Sequence, residues 1–208
     1  MGAWGAVCMQ NKMWEKIRQH QLWVNTKRAA GEELVLDEEK MGWLPFTDVN
    51  LEYSSIVACE FCDMDMLRWD FYRAALHSTV FKNMTLQDCQ FIRTQLGYAE
   101  FHNVLIKDTS FVKAELDSVI FRNVVLENCN LFDVFASDTD FRSTVFRNVN
   151  FREIWFDETI MDETTVLENP QNLEENCVQS INIGTTEEPI LLKDKEAFLW
   201  LQDRIVRS

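Results

Sequence analysis

The chain has 208 residues and a formal net charge of −14, from 34 acidic against 20 basic side chains. That balance argues against direct binding to nucleic acid, whose affinity comes largely from Lys and Arg meeting phosphates. With 47% apolar residues the chain can bury a substantial core, and no apolar run is long enough for a transmembrane helix, so no membrane span is expected.

The stretch Met1 to Met9 is apolar but short, with neither a basic lead nor a small-residue cleavage site. It does not read as a signal peptide, and a cytoplasmic location is expected. From Asn11 to Arg28, the residues Met13, Trp14, Ile17 and Val24 recur at helical spacing, and Gly31 is a plausible stop. Residues 1–35 are therefore expected to form an N-terminal helical cap. Leu36 and Met41 already stand five apart, which places the start of a first, poorly formed coil near Leu34, ahead of Pro45.

From Phe46 to Val166 every fifth residue is apolar. A period of five fits neither a helix at 3.6 nor a strand at 2.0. It fits a chain that turns a corner every five residues and returns one side chain to the interior each time, so the chain is read as an internal repeat. Two residues before each large apolar residue stands a small or β-branched one, as in Ala74, Thr79, Cys89, Thr94, Ala99, Val119 and Val149. A narrow interior requires such small partners. Leu44, Met64, Trp69 and Met84 are oversized for that position and predict a wider interior near the N-terminal end. From Phe61 to Phe121 the core positions alternate between Phe and Met, Leu or Ile. Stacking every 20 residues would put Phe61, Phe81, Phe101, Phe121 and Phe141 in one column.

Units such as Thr139-Asp140-Phe141-Arg142-Ser143, Val149-Asn150-Phe151-Arg152-Glu153 and Cys129-Asn130-Leu131-Phe132-Asp133 resemble those of the pentapeptide-repeat family. The resemblance implies an all-β fold: a right-handed quadrilateral β-helix of about six coils of four pentapeptides, without insertions, spanning residues 36–168. Each coil of such a rod touches only its neighbours, so both ends need covers.

After Val166 the repeat is expected to break at Asn169-Pro170. Gln171 to Pro189 then reads as an irregular connection holding one short strand, Val178 to Ile183. Asp194 to Val206 reads as a helix with Phe198, Leu201 and Ile205 on one face and Asp194 as N-cap. Residues 169–208 would thus form a C-terminal connection and capping helix. The resemblance adds that such a helix can also join two copies into a homodimer.

No catalytic, cofactor-binding or metal-ligating set emerges. Cys59 and Cys62 form a C-x-x-C, but the register points Cys59 inward and Cys62 outward, and no second pair or nearby His completes a zinc site. Cys89 and Cys129 occupy inward small positions, whereas Cys62, Cys8 and Cys177 are expected to be the accessible thiols. His20, His77 and His102 lie apart, and six glycines with no long loops offer no pocket. The chain is expected not to be an enzyme and to need no cofactor.

The surface remains. The side built on Ile56, Leu76, Leu96, Leu116, Ala136 and Phe156 carries no Lys or Arg, and displays Glu115, Asp117, Asp138, Asp157 and Glu158 toward its C-terminal end. The side built on Phe71, Phe91, Phe111 and Leu131 stacks Tyr72, Ile92, Val112 and Phe132 outward, an apolar ladder suited to a partner. Two function classes follow. The first is a non-catalytic protein-binding or scaffold module that holds a protein partner or a second copy. The alternative, implied by the resemblance, is a mimic of duplex DNA that occupies the groove of a type II topoisomerase such as gyrase, with spaced carboxylates meeting a basic channel.

Overall fold

The computed structural model describes residues 3–42, 46–174 and 177–206, with side chains from residue 12 onward. It is a parallel β-solenoid of about seven turns with a helix at each end. The coil repeats every 20 residues: Phe81 pairs with Phe101, Ile106 with Leu126, Gln95 with Glu115 and Gln90 with Ser110. Four pentapeptides therefore make one coil. One sheet of ten strands contains the longest strands, Val80–Gln87 and Glu100–Lys107.

The corners explain the period. The residue two after each large core residue sits in the left-handed region, as at Asp63 (φ 53°), Asn83 (φ 53°), Asn103 (φ 54°), Asp108 (φ 50°) and Asn128 (φ 54°). Asn and Asp visit this region at lower cost than other non-glycine residues. The turned backbone still pairs: the N–H of Asp63 donates to the Lys82 carbonyl at 3.0 Å and that of Asn128 to the Arg147 carbonyl at 2.9 Å. Outside the corners the same amides form ladders. Asn83 Nδ2 donates to Asp63, Asn103 to Asn83 and Asn123 to Asn103, at 3.0 to 3.1 Å. A second ladder runs Asn169, Asn148, Asn128, Asp108. Tyr98 is a costlier choice, at φ 61° with a side chain 68% exposed. Tyr98→Asn is expected to stabilise the chain by about 0.5–1 kcal/mol, read as a raised midpoint in a denaturant melt.

Inside, the predicted columns form. Phe61, Phe81, Phe101, Phe121 and Phe141 stack at centroid separations of 5.3, 4.7, 4.8 and 4.9 Å. Phe71, Phe91 and Phe111 stack at 4.9 Å in a second column. The small inward residues also close hydrogen bonds across the coil, with Thr79 Oγ1 donating to the Ile56 carbonyl at 2.7 Å and Thr94 Oγ1 to the Phe71 carbonyl at 2.8 Å. Threonine therefore does more than fill space there. Met64, Trp69 and Met84 are buried, and Trp69 Nε1 donates to the Phe46 carbonyl at 3.0 Å. Leu44 and Pro45 lie outside the described residues.

Several expectations are corrected. The first coil starts at Val35–Asp37, paired with Ser55–Val57, as the Leu34 start anticipates, but parallel pairing runs on to Ser180–Asn182, which raises the coil count from six to about seven. The array is not free of insertions. After Met161 one extra residue enters, so Phe146 pairs with Leu167 rather than Val166, and Leu167 is the buried one. The Asp162–Thr165 turn absorbs it: the Thr164 N–H donates to Asp162 Oδ1, and Thr164 Oγ1 accepts the Ser143 N–H at 2.7 Å in place of a backbone carbonyl. Phe46 is half-buried and stacks on Trp14 at 4.2 Å rather than joining the interior column.

The ends are covered as the exposed sheet edges require. Helix α1 spans Ala3–Asn25, starting earlier and ending sooner than its apolar pattern indicated. Ile17 and His20 face the first coil and are fully buried, and His20 Nδ1 accepts the Leu34 N–H at 2.9 Å. Burial pushes the His20 pKa down, in keeping with the neutral ring that this acceptor role needs. Gly31 (φ 80°) crosses so close to α1 that a Cβ there would lie 2.2 Å from the Gln19 carbonyl oxygen. At the other end, Leu191–Lys193 turns back antiparallel on Ser180–Asn182, and helix α2, Asp194–Gln202, buries Ala197 and Leu201. The N-cap of α2 is Lys193, not Asp194, and the cap makes no side-chain hydrogen bond. Ile205 has also left the helix: Ile205–Val206 pairs with Leu167 and Glu168 as an added parallel strand. The exposed backbone of the last coil is thus closed by strand pairing as well as by a helix.

Candidate functional site

The base-free side emerges as one continuous strip of short strands. Phe135–Ser137 pairs with Trp155–Asp157, and bridges continue to Glu115, Gln95, Ala75 and Ser55. Because stacked strands lie about 4.8 Å apart, outward residues form columns. Glu115, Phe135 and Trp155 make one, Asp117, Ser137 and Asp157 a second, and Ser118, Asp138 and Glu158 a third. The five carboxylates singled out by sequence are therefore brought together on one side. Glu115, Asp117, Asp138 and Glu158 are exposed, and Asp157 is half-buried and accepts a 2.7 Å hydrogen bond from Ser180 Oγ.

Their surroundings differ from those of several carboxylates on the other sides. Asp48 pairs with Arg68, Glu60 with Lys40, Glu127 with Lys107 and Arg147, and Asp133 with Lys113. Among the described residues none of the five has an ion-pair partner. Partial burial and the neighbouring charge of Asp138 push the Asp117 pKa up, the mark of negative charge that is not compensated locally.

The apolar ladder is less open than its sequence implied. Tyr72, Ile92, Val112 and Phe132 are each half-buried, and the chain's own arginines cover its aromatic members. Arg73 lies 5.4 Å over the Tyr72 ring and Arg152 5.5 Å over that of Phe132. Sequence reading missed two more exposed aromatics, Phe135 and Trp155, each 42% exposed. The signal was there: at the same outward position the earlier coils carry Ser55, Ala75, Gln95 and Glu115, and only the last two change to large rings.

Of the thiols, Cys59, Cys89, Cys129 and Cys177 are buried and Cys62 is half-exposed, all unpaired. Cys177, expected to be accessible, is instead closed in under the last coil, where its Sγ faces the Phe151 carbonyl. Burial pushes the Cys89 thiol up to about 11 and that of Cys129 up to about 12, so both are inert as nucleophiles near neutrality. The Cys8 side chain lies outside those described. His77 packs beside Gly97, whose Cβ would lie 3.1 Å from its Nδ1, and His102 Nε2 meets Glu100 at 2.6 Å on another side. No group of three or more metal-ligating side chains is assembled among the described residues.

The family profile described as "Pentapeptide repeats (8 copies)" matches residues 125–162, the same coils that carry most of the five carboxylates. Over those residues the chain carries pentapeptide repeats. No curated protein matches it in sequence. Among solved structures, the chain is similar to full-length QnrB1, a plasmid-mediated fluoroquinolone resistance protein. Identity is 15%, the match covers 74% of this chain and 93% of that one, and the TM-score is 0.34. It is also similar to the pentapeptide-repeat protein Rfr23 from the cyanobacterium Cyanothece 51142, at 14% identity, 62% and 86% coverage and a TM-score of 0.28. A third is HetL from Nostoc sp. strain PCC 7120, a pentapeptide-repeat protein involved in heterocyst differentiation regulation. It shares 10% identity over 72% and 92% of the chains, with a TM-score of 0.21. No described helix is long and apolar enough to cross a membrane.

Proposed function

We propose that the chain is a non-catalytic protein-binding rod whose working face is the base-free side at its C-terminal end, and that this face receives a basic surface of a protein partner. The observation that carries the reading is that these five carboxylates share a side with no Lys or Arg and make no ion pair among the described residues, whereas Asp48, Asp133 and Glu127 on other sides each find a base one coil away. A face left uncompensated in a rigid array attracts a complementary charge, speeding encounter and fixing register. The alternative, mimicry of DNA toward a type II topoisomerase, draws on the same carboxylates. It accounts less well for Phe135 and Trp155, which stand among them where a phosphate mimic needs only charge.

The test uses the full chain as bait in cell lysate at low and high salt. Neutralising Glu115, Asp117, Asp138, Asp157 and Glu158 to Gln or Asn should abolish capture and leave the melting temperature nearly unchanged, since these side chains support no ion pair. Changing Tyr72, Ile92, Val112 and Phe132 to Ser should leave capture intact. A set of captured proteins that ignores both neutralisation and salt would sink the proposal. A gyrase supercoiling assay on the same variants addresses mimicry, which fails if the parent neither inhibits nor protects at micromolar concentration.

A further inference from the structure

Beside the five carboxylates, a shallow groove of about 360 Å³ is lined by Phe135, Trp155, Val134, Asp133 and Glu153. The rings of Phe135 and Trp155 come from paired strands one coil apart and form its apolar walls. Asp133 and Glu153, which precede these strands, stand at its edge. Glu115 lies directly next to Phe135 in the same column.

How the chain treats its other outward aromatics indicates what this groove would accept. Arg28 lies 4.8 Å over Trp23 and 5.5 Å over Tyr53, and Arg204 lies 4.5 Å over Trp200. With Arg73 over Tyr72 and Arg152 over Phe132, five rings are capped by guanidinium groups from the chain itself. Among the described residues no cation lies over Phe135 or Trp155, and their side of the rod has no Lys or Arg to supply one. The ion pairs of Asp133 with Lys113 and of Glu153 with Arg152 are between exposed groups and cost little to rearrange.

We propose that the Phe135–Trp155 groove binds an arginine side chain from a basic, extended segment of a protein partner. Its guanidinium would stack between the two rings and be forked by the carboxylates of Glu115, Asp133 or Glu153, while neighbouring basic residues meet Asp138, Asp157 and Glu158. Arginine fits better than lysine because its planar cation offers a face to aromatic rings and an edge to carboxylates at once. An extended segment fits because the carboxylates lie along successive coils about 4.8 Å apart, a line that one extended chain can follow. The inference rests on the proposed function and names the partner's chemistry.

The experiment measures binding of an oligoarginine peptide and an oligolysine peptide of equal length to the full chain by calorimetry. The parent should prefer oligoarginine several-fold. Phe135→Ser with Trp155→Ser should weaken oligoarginine binding by roughly tenfold and erase the preference. Glu115→Arg should also block it by capping Phe135 from within, as Arg152 caps Phe132, and this variant keeps both rings should the double serine variant melt early. The variant with all five carboxylates neutralised should lose both peptides. Unchanged binding in both the double serine variant and Glu115→Arg, with loss only on neutralisation, would overturn the groove and leave the acidic face standing. No binding by the parent, or binding indifferent to every variant, would overturn both.

Discussion

Phe101→Ala is expected to destabilise the chain by about 3–5 kcal/mol, whereas His102→Ala beside it should cost less than about 0.5 kcal/mol. Phe101 is fully buried and stacks on Phe81 below and Phe121 above, at 4.7 and 4.8 Å. Truncation opens a void in mid-column, and the void cannot collapse, because the rings on both sides are held by the strands Val80–Gln87 and Ile120–Arg122, each paired in parallel with Glu100–Lys107. His102 points outward, and its contact with Glu100 is between partly exposed groups. Denaturant melts of the two variants decide it, and equal losses would refute the five-residue register. In a solenoid the damage should stay local, so the melt of Phe101→Ala should also broaden as the coils on either side uncouple.

Asp140→Asn is expected to cost about 2–3 kcal/mol at neutral pH, far more than removing any exposed carboxylate. Asp140 is buried at 5% exposure and accepts hydrogen bonds from Arg122 of the coil before it, from the Arg142 guanidinium and from the Arg142 backbone N–H. Burial alone would raise its pKa, but these bonds overcome it and hold the carboxyl below its usual range. The folded pKa lies below the unfolded one, so the contribution is complete above the ordinary carboxylate pKa and is lost as pH falls through the folded value. The gap between parent and Asp140→Asn should therefore be full at pH 7 and shrink on acidification below about pH 4. A gap independent of pH would mean that Asp140 acts through shape alone.

How much of this was legible in the sequence can be argued from particular residues. The period of five fixed which side chain enters the interior from Leu51 to Met161, because in a narrow coil a single slip would turn a Phe to solvent. The columns of Phe rings and the base-free side followed from that register, and the helices at both ends from apolar residues at helical spacing. The register misplaces its two ends, Phe46 and Val166; at the second, Val and Leu stand adjacent and only the turn at Asp162–Thr165 decides which is buried.

Other features depend on contacts between distant parts of the chain, which no local pattern carries. That Ile205–Val206 pairs as a strand with Glu168, rather than continuing α2, depends on an unpaired edge in the last coil. That Cys177 is sealed and Phe46 is not depends on what the ends of the chain lay over each coil. The candidate site divides in the same way. Sequence placed the five carboxylates on one side, because outward direction follows from register. Only the tertiary structure decided that they lack ion pairs, that Arg73 and Arg152 occupy the apolar ladder, and that Phe135 and Trp155 stand open beside them. Those facts rest on long side chains choosing among neighbours one coil away, a choice made by geometry and charge in three dimensions.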